Sequence, residues 1–219
     1  KAIFSTQDKG KKAEFFFDLY DARGPELPLA QISADGAGLG PNIISRKVWG
    51  ADEGYMKWTP EHSEVKAIVI HHTAGEQAAT TTDQVAAVRN LYYGHAVSFG
   101  WGDIGYNYVV DVNGVIYEGR TGGNAAVAGH VLGYNYGTIG ISVIGDYTTR
   151  VPSADQTKAI EELVAYLSYK NSLTIESKVF LKDKIVNVVS GHRDINPTAC
   201  PGDNIYIRLD EIKMGAAEK

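Results

Sequence analysis

Short runs of β-branched and other apolar residues recur through the chain, and they limit its fold more than any other feature. Residues 66–72 (KAIVIHH), 138–144 (TIGISVI) and 184–190 (KIVNVVS) each have the length and composition of a buried strand. Residues 106–111 and 115–118 flank Val112-Asn113-Gly114, a glycine turn that predicts a β-hairpin. These segments predict a sheet with a largely buried interior.

Helical patterns lie between and after these runs. Thr82 and Asp83 can cap a helix, and Ser153 with Gln156 forms a capping-box pattern ahead of a second one. A C-terminal helix is expected over 203–213. Apolar residues recur at helical spacing in the first two helices, at Val85, Val88, Leu91 and Tyr92, and at Ile160, Leu163, Val164 and Leu167. The alternation predicts an α/β fold, a central mixed β-sheet flanked by helices.

Composition narrows the class of partner. The chain has 219 residues and a formal net charge of -5, so nothing in its charge argues for binding nucleic acid. No apolar run approaches the roughly 20 residues that cross a bilayer, so no membrane span is expected. The segment from Lys1 has no apolar core typical of a signal peptide.

The first part of the chain differs from the rest. Residues 1–42 contain the glycine-rich run 34–41 (ADGAGLGP), which is typical of a loop or linker. We therefore expect 1–42 to be an N-terminal extension, a linker or the tail of an upstream module. The folded domain is expected to span 43–219.

Polar residues with metal-binding side chains follow two of the predicted strands. His71 and His72 end the first strand, His192 follows the last, and Cys200 lies in the loop beyond it. Two imidazoles and a thiolate suit Zn²⁺ and leave its fourth position for water. Neighbouring strand residues point to opposite faces, so only one of His71 and His72 can face the metal. Cys200 also has two other interpretations, a small buried hydrophobe and a nucleophile.

The chain resembles the peptidoglycan recognition proteins, also called type 2 N-acetylmuramoyl-L-alanine amidases. The resemblance covers nearly all of residues 43–219 and is highly specific because the segments occur jointly and in the family's order. The segments are ISRKVWGADE (44–53), VIHHTAG (69–75), WGDIGYNYVVDVNGVIYEGR (101–120), AGHVLGYNYGTIGISVIGDY (128–147) and GHRDINPTACPG (191–202).

The resemblance implies a zinc site in a groove at the sheet edge, held by His71, His192 and Cys200. Tyr106 resembles the family's catalytic tyrosine, and Thr198 stands where the family contacts the reacting carbonyl. Family members without the cysteine ligand bind peptidoglycan and do not cut it, so its presence favours an enzyme. The implied reaction is hydrolysis of the amide between the lactyl group of N-acetylmuramic acid and L-alanine.

Three further residues are expected to contact the substrate. His130 and Asn135 are expected to line its groove, the alternative being a polar loop that supports itself. Arg120 is expected to meet a carboxylate of the stem peptide, or else to be a solvated surface arginine. Arg193 and Asp194 are expected to brace the metal loop.

Two other functions compete with the zinc amidase: a peptidoglycan-binding module without catalysis, and a thiol enzyme with Cys200 as nucleophile and His192 as base. A structural zinc site would need a fourth protein ligand.

The protein is expected to be a monomer that is secreted or located in the cell envelope, where peptidoglycan lies. Its single cysteine cannot form the disulfide usual in animal members, which favours the bacterial or phage branch. His62 and His95 are expected at the surface.

Overall fold

The computed structural model describes residues 40–57, 59–75 and 83–219. The predicted extension therefore lies almost wholly outside the described residues, and so does Thr82, the first of the two predicted helix caps. The domain boundary at residue 42 stays a prediction. Within the described part, no helix combines the length and hydropathy needed to cross a bilayer.

A six-stranded mixed sheet forms the centre of the fold, as predicted. Its strand order is β1-β4-β3-β5-β2-β8, and every neighbouring pair is parallel except β3 with β4. The antiparallel pair is the predicted hairpin. A separate two-stranded hairpin is formed by β6 and β7. The strands are β1 Ile43–Ile44, β2 Ala67–His72, β3 Tyr108–Val110, β4 Ile116–Glu118, β5 Thr138–Val143, β6 Lys178–Leu181, β7 Lys184–Asn187 and β8 Val189–Gly191.

Helices cover both faces of the sheet. The helices are α1 Arg46–Trp49, α2 Gln84–Tyr93, α3 Ala154–Lys170, α4 Asp203–Tyr206 and α5 Leu209–Ala217. One core cluster joins Ile68 and Ile70 of β2 to residues of α3 and α5, including Leu163 and Ile212. Another joins Val109 of β3 to α1 and α2. The α/β architecture is confirmed.

The alternation of side chains along β2 decides which groups face the site. Ile68 and Ile70 belong to the cluster beneath α3, whereas Val69 packs with Val131 and Ile195 on the opposite side. His71 therefore shares a side with Val69, and His72 shares a side with Ile70.

The helix starts agree with their sequence signals. Asp83 caps α2, its Oδ1 accepting the backbone N–H of Ala86 at 2.8 Å. Ser153 and Gln156 form the predicted capping box of α3, with both hydrogen bonds at 3.1 Å. Each arrangement satisfies backbone donors that the first helical turn leaves without an intrahelical partner.

Two predicted elements are each divided in the structure. The strand expected over 184–190 breaks at Val188, whose N–H bonds to the carbonyl of Ser177 and whose carbonyl bonds to Ile68. Its first part, β7, pairs with the unpredicted β6, and its second part, β8, joins β2. The helix expected over 203–213 is interrupted at 207–208 and resumes as α5.

A candidate metal centre at the edge of the sheet

Three predicted ligands come together at one end of the sheet. Ligand atoms of His71, His192 and Cys200 all lie within 4.8 Å of one another. The Sγ of Cys200 is 3.5 Å from Nδ1 of His71. The ring centroids of His71 and His192 are 4.6 Å apart. Within the described part of the chain, this cluster contains no fourth histidine, cysteine or carboxylate.

Parallel pairing of β2 with β8 brings the two histidines together. Ile70 is paired with Gly191, so the residue that follows each of them emerges at the same end of the two strands. His192 then begins a short 3₁₀ turn that ends at Asp194. The two histidines are therefore placed by strand β2 and by the end of β8, which hold them more firmly than a free loop would.

The loop after β8 returns Cys200 to the histidines. The backbone N–H of Arg193 donates to the carbonyl of Cys200 at 3.0 Å, and the Arg193 guanidinium pairs with Asp203 at 2.6 Å. Asp194 accepts hydrogen bonds from the Gly191 N–H and the Tyr206 hydroxyl. These contacts agree with the bracing role expected for Arg193 and Asp194.

His72 points away from the cluster. Its Nδ1 accepts the backbone N–H of Tyr147 at 3.1 Å and lies 3.6 Å from a carboxylate oxygen of Asp146. Only its backbone approaches the Cys200 Sγ, through the N–H at 3.4 Å and the carbonyl oxygen at 4.0 Å. The choice between the two neighbouring histidines, left open by strand alternation alone, thus falls geometrically on His71.

The electrostatics of the cluster suit a cation. Burial lowers the pKa of His71 well below its ordinary value, and the charges of nearby histidines lower it further. Burial also lowers the pKa of His192, so both rings are neutral and offer lone pairs. Burial raises the pKa of the Cys200 thiol to about 12. This burial favours the protonated thiol, and a bound cation would reverse that preference because it stabilises the thiolate directly. The nitrogen and sulfur donors fit zinc with one open position.

Tyr106 and Thr198 border the cluster. The Tyr106 ring is half-buried with its centroid 5.3 Å from that of His71, and burial raises the pKa of its hydroxyl well above the ordinary value. Thr198 is exposed, and its Oγ1 accepts the backbone N–H of Cys200 at 3.2 Å. The Thr198 hydroxyl hydrogen is then free to point elsewhere. Both groups can donate hydrogen bonds near the cluster.

His130 lies beside the metal cluster, and Asn135 supports it from behind. The Nδ1 of His130 is 2.9 Å from Nε2 of His71. The side-chain oxygen of Asn135 accepts the N–H groups of His130 and Val131 at 2.9 and 2.7 Å. Asn135 therefore has the self-supporting loop contacts that were the alternative to groove lining. A substrate contact for either residue stays a prediction.

Arg120 is not at the surface. Its side chain is 1% exposed, its Nη1 donates to the Ile104 carbonyl at 3.0 Å, and it lies near the fully buried Asp103. The expectation of a solvated arginine is therefore wrong. A contact with a stem-peptide carboxylate stays a prediction, and Arg120 lines a cavity together with Asn107 and Glu118.

His95 was expected at the surface and is instead buried. It is 8% exposed, its Nδ1 accepts the N–H of Gly105 at 3.0 Å, and its ring packs 4.7 Å from Trp101 and 5.5 Å from Tyr106. It follows Val88 and Tyr92 at helical spacing, and this periodicity was the available signal. His62 is exposed, as predicted. The side chains packed against Tyr106 therefore include His95, which the sequence analysis did not predict to be buried.

Comparison with known proteins identifies the family. The sequence profile described as N-acetylmuramoyl-L-alanine amidase matches residues 61–203. The chain is 33% identical over 180 residues to peptidoglycan-recognition protein SC2 of Drosophila simulans, covering 81% of this chain and 90% of that protein. The chain belongs to the peptidoglycan recognition protein and type 2 amidase family.

Solved structures of family members share this fold. Peptidoglycan recognition protein LE of Drosophila melanogaster, solved in complex with tracheal cytotoxin, a monomeric diaminopimelic acid-type peptidoglycan, is similar with a TM-score of 0.64 and 32% identity. The match covers 77% of this chain and 92% of that one. The N-acetylmuramoyl-L-alanine amidase LysC of Clostridium intestinale is similar with a TM-score of 0.58 and 25% identity, covering 80% and 96%. These relatives come from animals and a bacterium, so the predicted branch stays a prediction.

Proposed function

We propose that this protein is a zinc-dependent N-acetylmuramoyl-L-alanine amidase that cleaves the lactyl–L-alanine amide of peptidoglycan. The observation that carries the proposal is the cluster of His71, His192 and Cys200 with one coordination position left open. Structural zinc sites are closed by four protein ligands, whereas catalytic sites keep a position for water or substrate. Family membership supports the amide as the bond attacked.

His71, His192 and Cys200 would hold the metal, with Nδ1 as the ligand atom of His71 because that nitrogen faces Cys200. Zinc bound there supplies a Lewis acid that polarises a carbonyl and activates water at neutral pH. The short 3₁₀ turn that begins at His192 and the Arg193 contacts keep Cys200, the ligand on the loop, near His71, the ligand on β2. This pre-organisation reduces the rearrangement that metal binding requires.

Tyr106 and Thr198 would stabilise the charge that develops on the carbonyl oxygen. The raised pKa of Tyr106 keeps its hydroxyl protonated, so it acts as a hydrogen-bond donor and not as a phenolate base. Thr198 accepts the Cys200 N–H through its oxygen and keeps its own hydrogen for the substrate. One such donor typically contributes roughly 10²–10³ in rate.

The thiol-enzyme alternative has less support. Catalytic cysteines depend on a lowered pKa, whereas burial raises the pKa of the Cys200 thiol to about 12. The thiol also faces His71 and the His72 backbone, and neither is the His192 base that this mechanism requires.

A non-catalytic peptidoglycan-binding module is the second candidate. It is favoured by the similarity to peptidoglycan recognition protein LE, which was solved with a peptidoglycan fragment bound. For either function, the substrate class implies that the protein works outside the cytoplasm, secreted or in the cell envelope. We propose peptidoglycan as the partner in both cases.

Metal analysis combined with digestion of purified peptidoglycan separates the candidates. An amidase contains about one zinc per chain and releases stem peptides with free L-alanine amino termini, and a chelator abolishes that release. Cys200→Ser serves as the matched variant, since it keeps the side-chain shape and removes the thiolate. Binding of peptidoglycan without release by the zinc-loaded protein would favour the binding module, and chelator-resistant release would favour the thiol enzyme.

A further inference from the structure

We propose that Thr138 and His130 are positioning residues that hold His71 in one tautomer, with the hydrogen on Nε2 and the lone pair of Nδ1 directed to the ligand cluster. The inference concerns a chain of three buried side chains behind the candidate metal centre. Its link to zinc rests on the proposed function, whereas the tautomer itself does not.

This series of hydrogen bonds begins at two backbone carbonyls, which fix which group is the donor at each later step. The Thr138 hydroxyl lies 2.7 Å from the carbonyl oxygen of Tyr134 and 3.1 Å from that of Asn135. Carbonyl oxygens only accept hydrogen bonds, so the single hydroxyl hydrogen of Thr138 is donated to them. The Thr138 oxygen can then offer only a lone pair to its third neighbour.

That third neighbour is His130. Its Nε2 is 3.3 Å from the Thr138 oxygen, so the hydrogen between them must come from Nε2. The buried His130 ring has no carboxylate among its hydrogen-bond partners in the described residues, so it is neutral and carries one hydrogen. With Nε2 protonated, Nδ1 of His130 is an acceptor.

The acceptor nitrogen of His130, Nδ1, determines which nitrogen of His71 carries the hydrogen. Nδ1 of His130 is 2.9 Å from Nε2 of His71, which must therefore carry the hydrogen. The buried His71 ring likewise has no carboxylate among its hydrogen-bond partners in the described residues, so it is neutral and its Nδ1 carries a lone pair and no hydrogen. That nitrogen faces the Cys200 Sγ at 3.5 Å, inside the ligand cluster.

The surroundings hold the chain in this arrangement. His71, Thr138 and His130 are 1%, 3% and 7% exposed, so water has little access to replace their contacts. Gly140 of β5 lies under the His130 ring, and a Cβ there would come within 2.5 Å of it. Asn135 closes the loop that carries His130. Rotation of the ring would therefore require a shift of the sheet or of the loop.

Fixing the tautomer prepares His71 as a ligand. In the other tautomer, Nδ1 would carry a hydrogen and could not donate its lone pair to a metal. Partners of this kind behind metal-ligating histidines typically change metal affinity by roughly 10–100-fold when they are mutated. Thr138 does not contact His71, so it affects the His71 tautomer only through His130.

The tautomers can be measured by long-range ¹H–¹⁵N NMR on the zinc-free protein at neutral pH. We expect His71 and His130 both to carry hydrogen on Nε2. Observation of His71 with its hydrogen on Nδ1 would overturn the proposal. Because no zinc or substrate is present, this result is independent of whether the protein is an amidase.

A matched pair of variants tests the role of Thr138. Thr138→Val keeps the shape and removes the hydroxyl acceptor of His130, while the backbone of residue 138, which also hydrogen-bonds the His130 ring, stays in place. We expect mixed tautomers of His71 and a roughly 10–100-fold weaker zinc affinity in a chelator competition. Thr138→Ser restores a hydroxyl and should restore both. Unchanged His71 signals and zinc affinity in Thr138→Val would refute the role of the Thr138 hydroxyl and leave the backbone of residue 138 as the partner of His130. If Thr138→Val does not fold, the wild-type NMR spectrum still decides the tautomer.

Discussion

Acidification should destabilise the protein through His95 in particular. Burial lowers the pKa of His95 in the folded state to about 4, and the nearby positive charge of Arg120 adds to the effect. In the unfolded chain this pKa is 6.5. Below pH 6.5 the unfolded chain therefore binds a proton that the folded protein resists. The contribution of His95 to stability is complete above pH 6.5 and is lost as the pH falls toward 4.

The magnitude follows from these two pKa values. Linkage gives a loss of about 2 kcal/mol between pH 7 and pH 5, and about 3 kcal/mol by pH 4. Other buried histidines add losses of the same sign, so the contribution of His95 must be isolated. His95→Gln keeps a polar side chain and removes the titrating group, and it therefore serves as the control.

The assay is urea unfolding of the zinc-free wild type and of His95→Gln at pH 7, 6 and 5. We expect the wild type to lose about 2 kcal/mol more than the variant over this range, whatever the offset between them at pH 7. Parallel losses in the two proteins would refute the reasoning, because they would mean that His95 is protonated as easily in the folded state as in the unfolded chain.

Five further substitutions test the site and the fold. Cys200→Ser should remove most bound zinc by metal analysis, and normal zinc content would exclude Cys200 as a ligand. His71→Ala should lower zinc affinity far more than His72→Ala, because only the His71 ring faces the cluster; the reverse order would contradict the geometry. Tyr106→Phe should slow peptidoglycan hydrolysis by roughly 10²-fold while zinc stays bound, and unchanged turnover would remove Tyr106 from the reaction. Ser153→Ala should destabilise the protein by about 1 kcal/mol in urea unfolding through loss of the capping box, and no change would mean that water replaces the cap.

Local patterns in the sequence predicted most of the sheet and its helices. The buried strands β2 and β5 and the capping box of α3 were all visible, because each depends on residues close together in the chain. The break at Val188 was not visible, because apolar residues continue across it. It is caused by hydrogen bonds to Ser177 and Ile68, which the sequence does not connect.

The site was only partly predictable for the same reason. The ligand residues could be named from the family resemblance, but strand alternation did not decide between His71 and His72. The structure decides between them, because the side of β2 that carries His72 packs under α3 and the side that carries His71 faces the ligand cluster. The contact between His71 and His130 joins β2 to a loop that is distant in sequence and leaves no local signal. His95 carried a helical periodicity, but its polar side chain suggested the surface.

The parallel pairing of β2 with β8 has a consequence for how the proposed zinc site would be filled. A parallel pair cannot be closed by a tight turn, so β2 and β8 pair only when the long stretch of chain between them has brought them side by side. Nascent or partly folded chains therefore lack the ligand set and have little means to capture zinc. Under the proposed function, zinc binds the completed fold, so zinc availability should set its resistance to unfolding and to proteolysis.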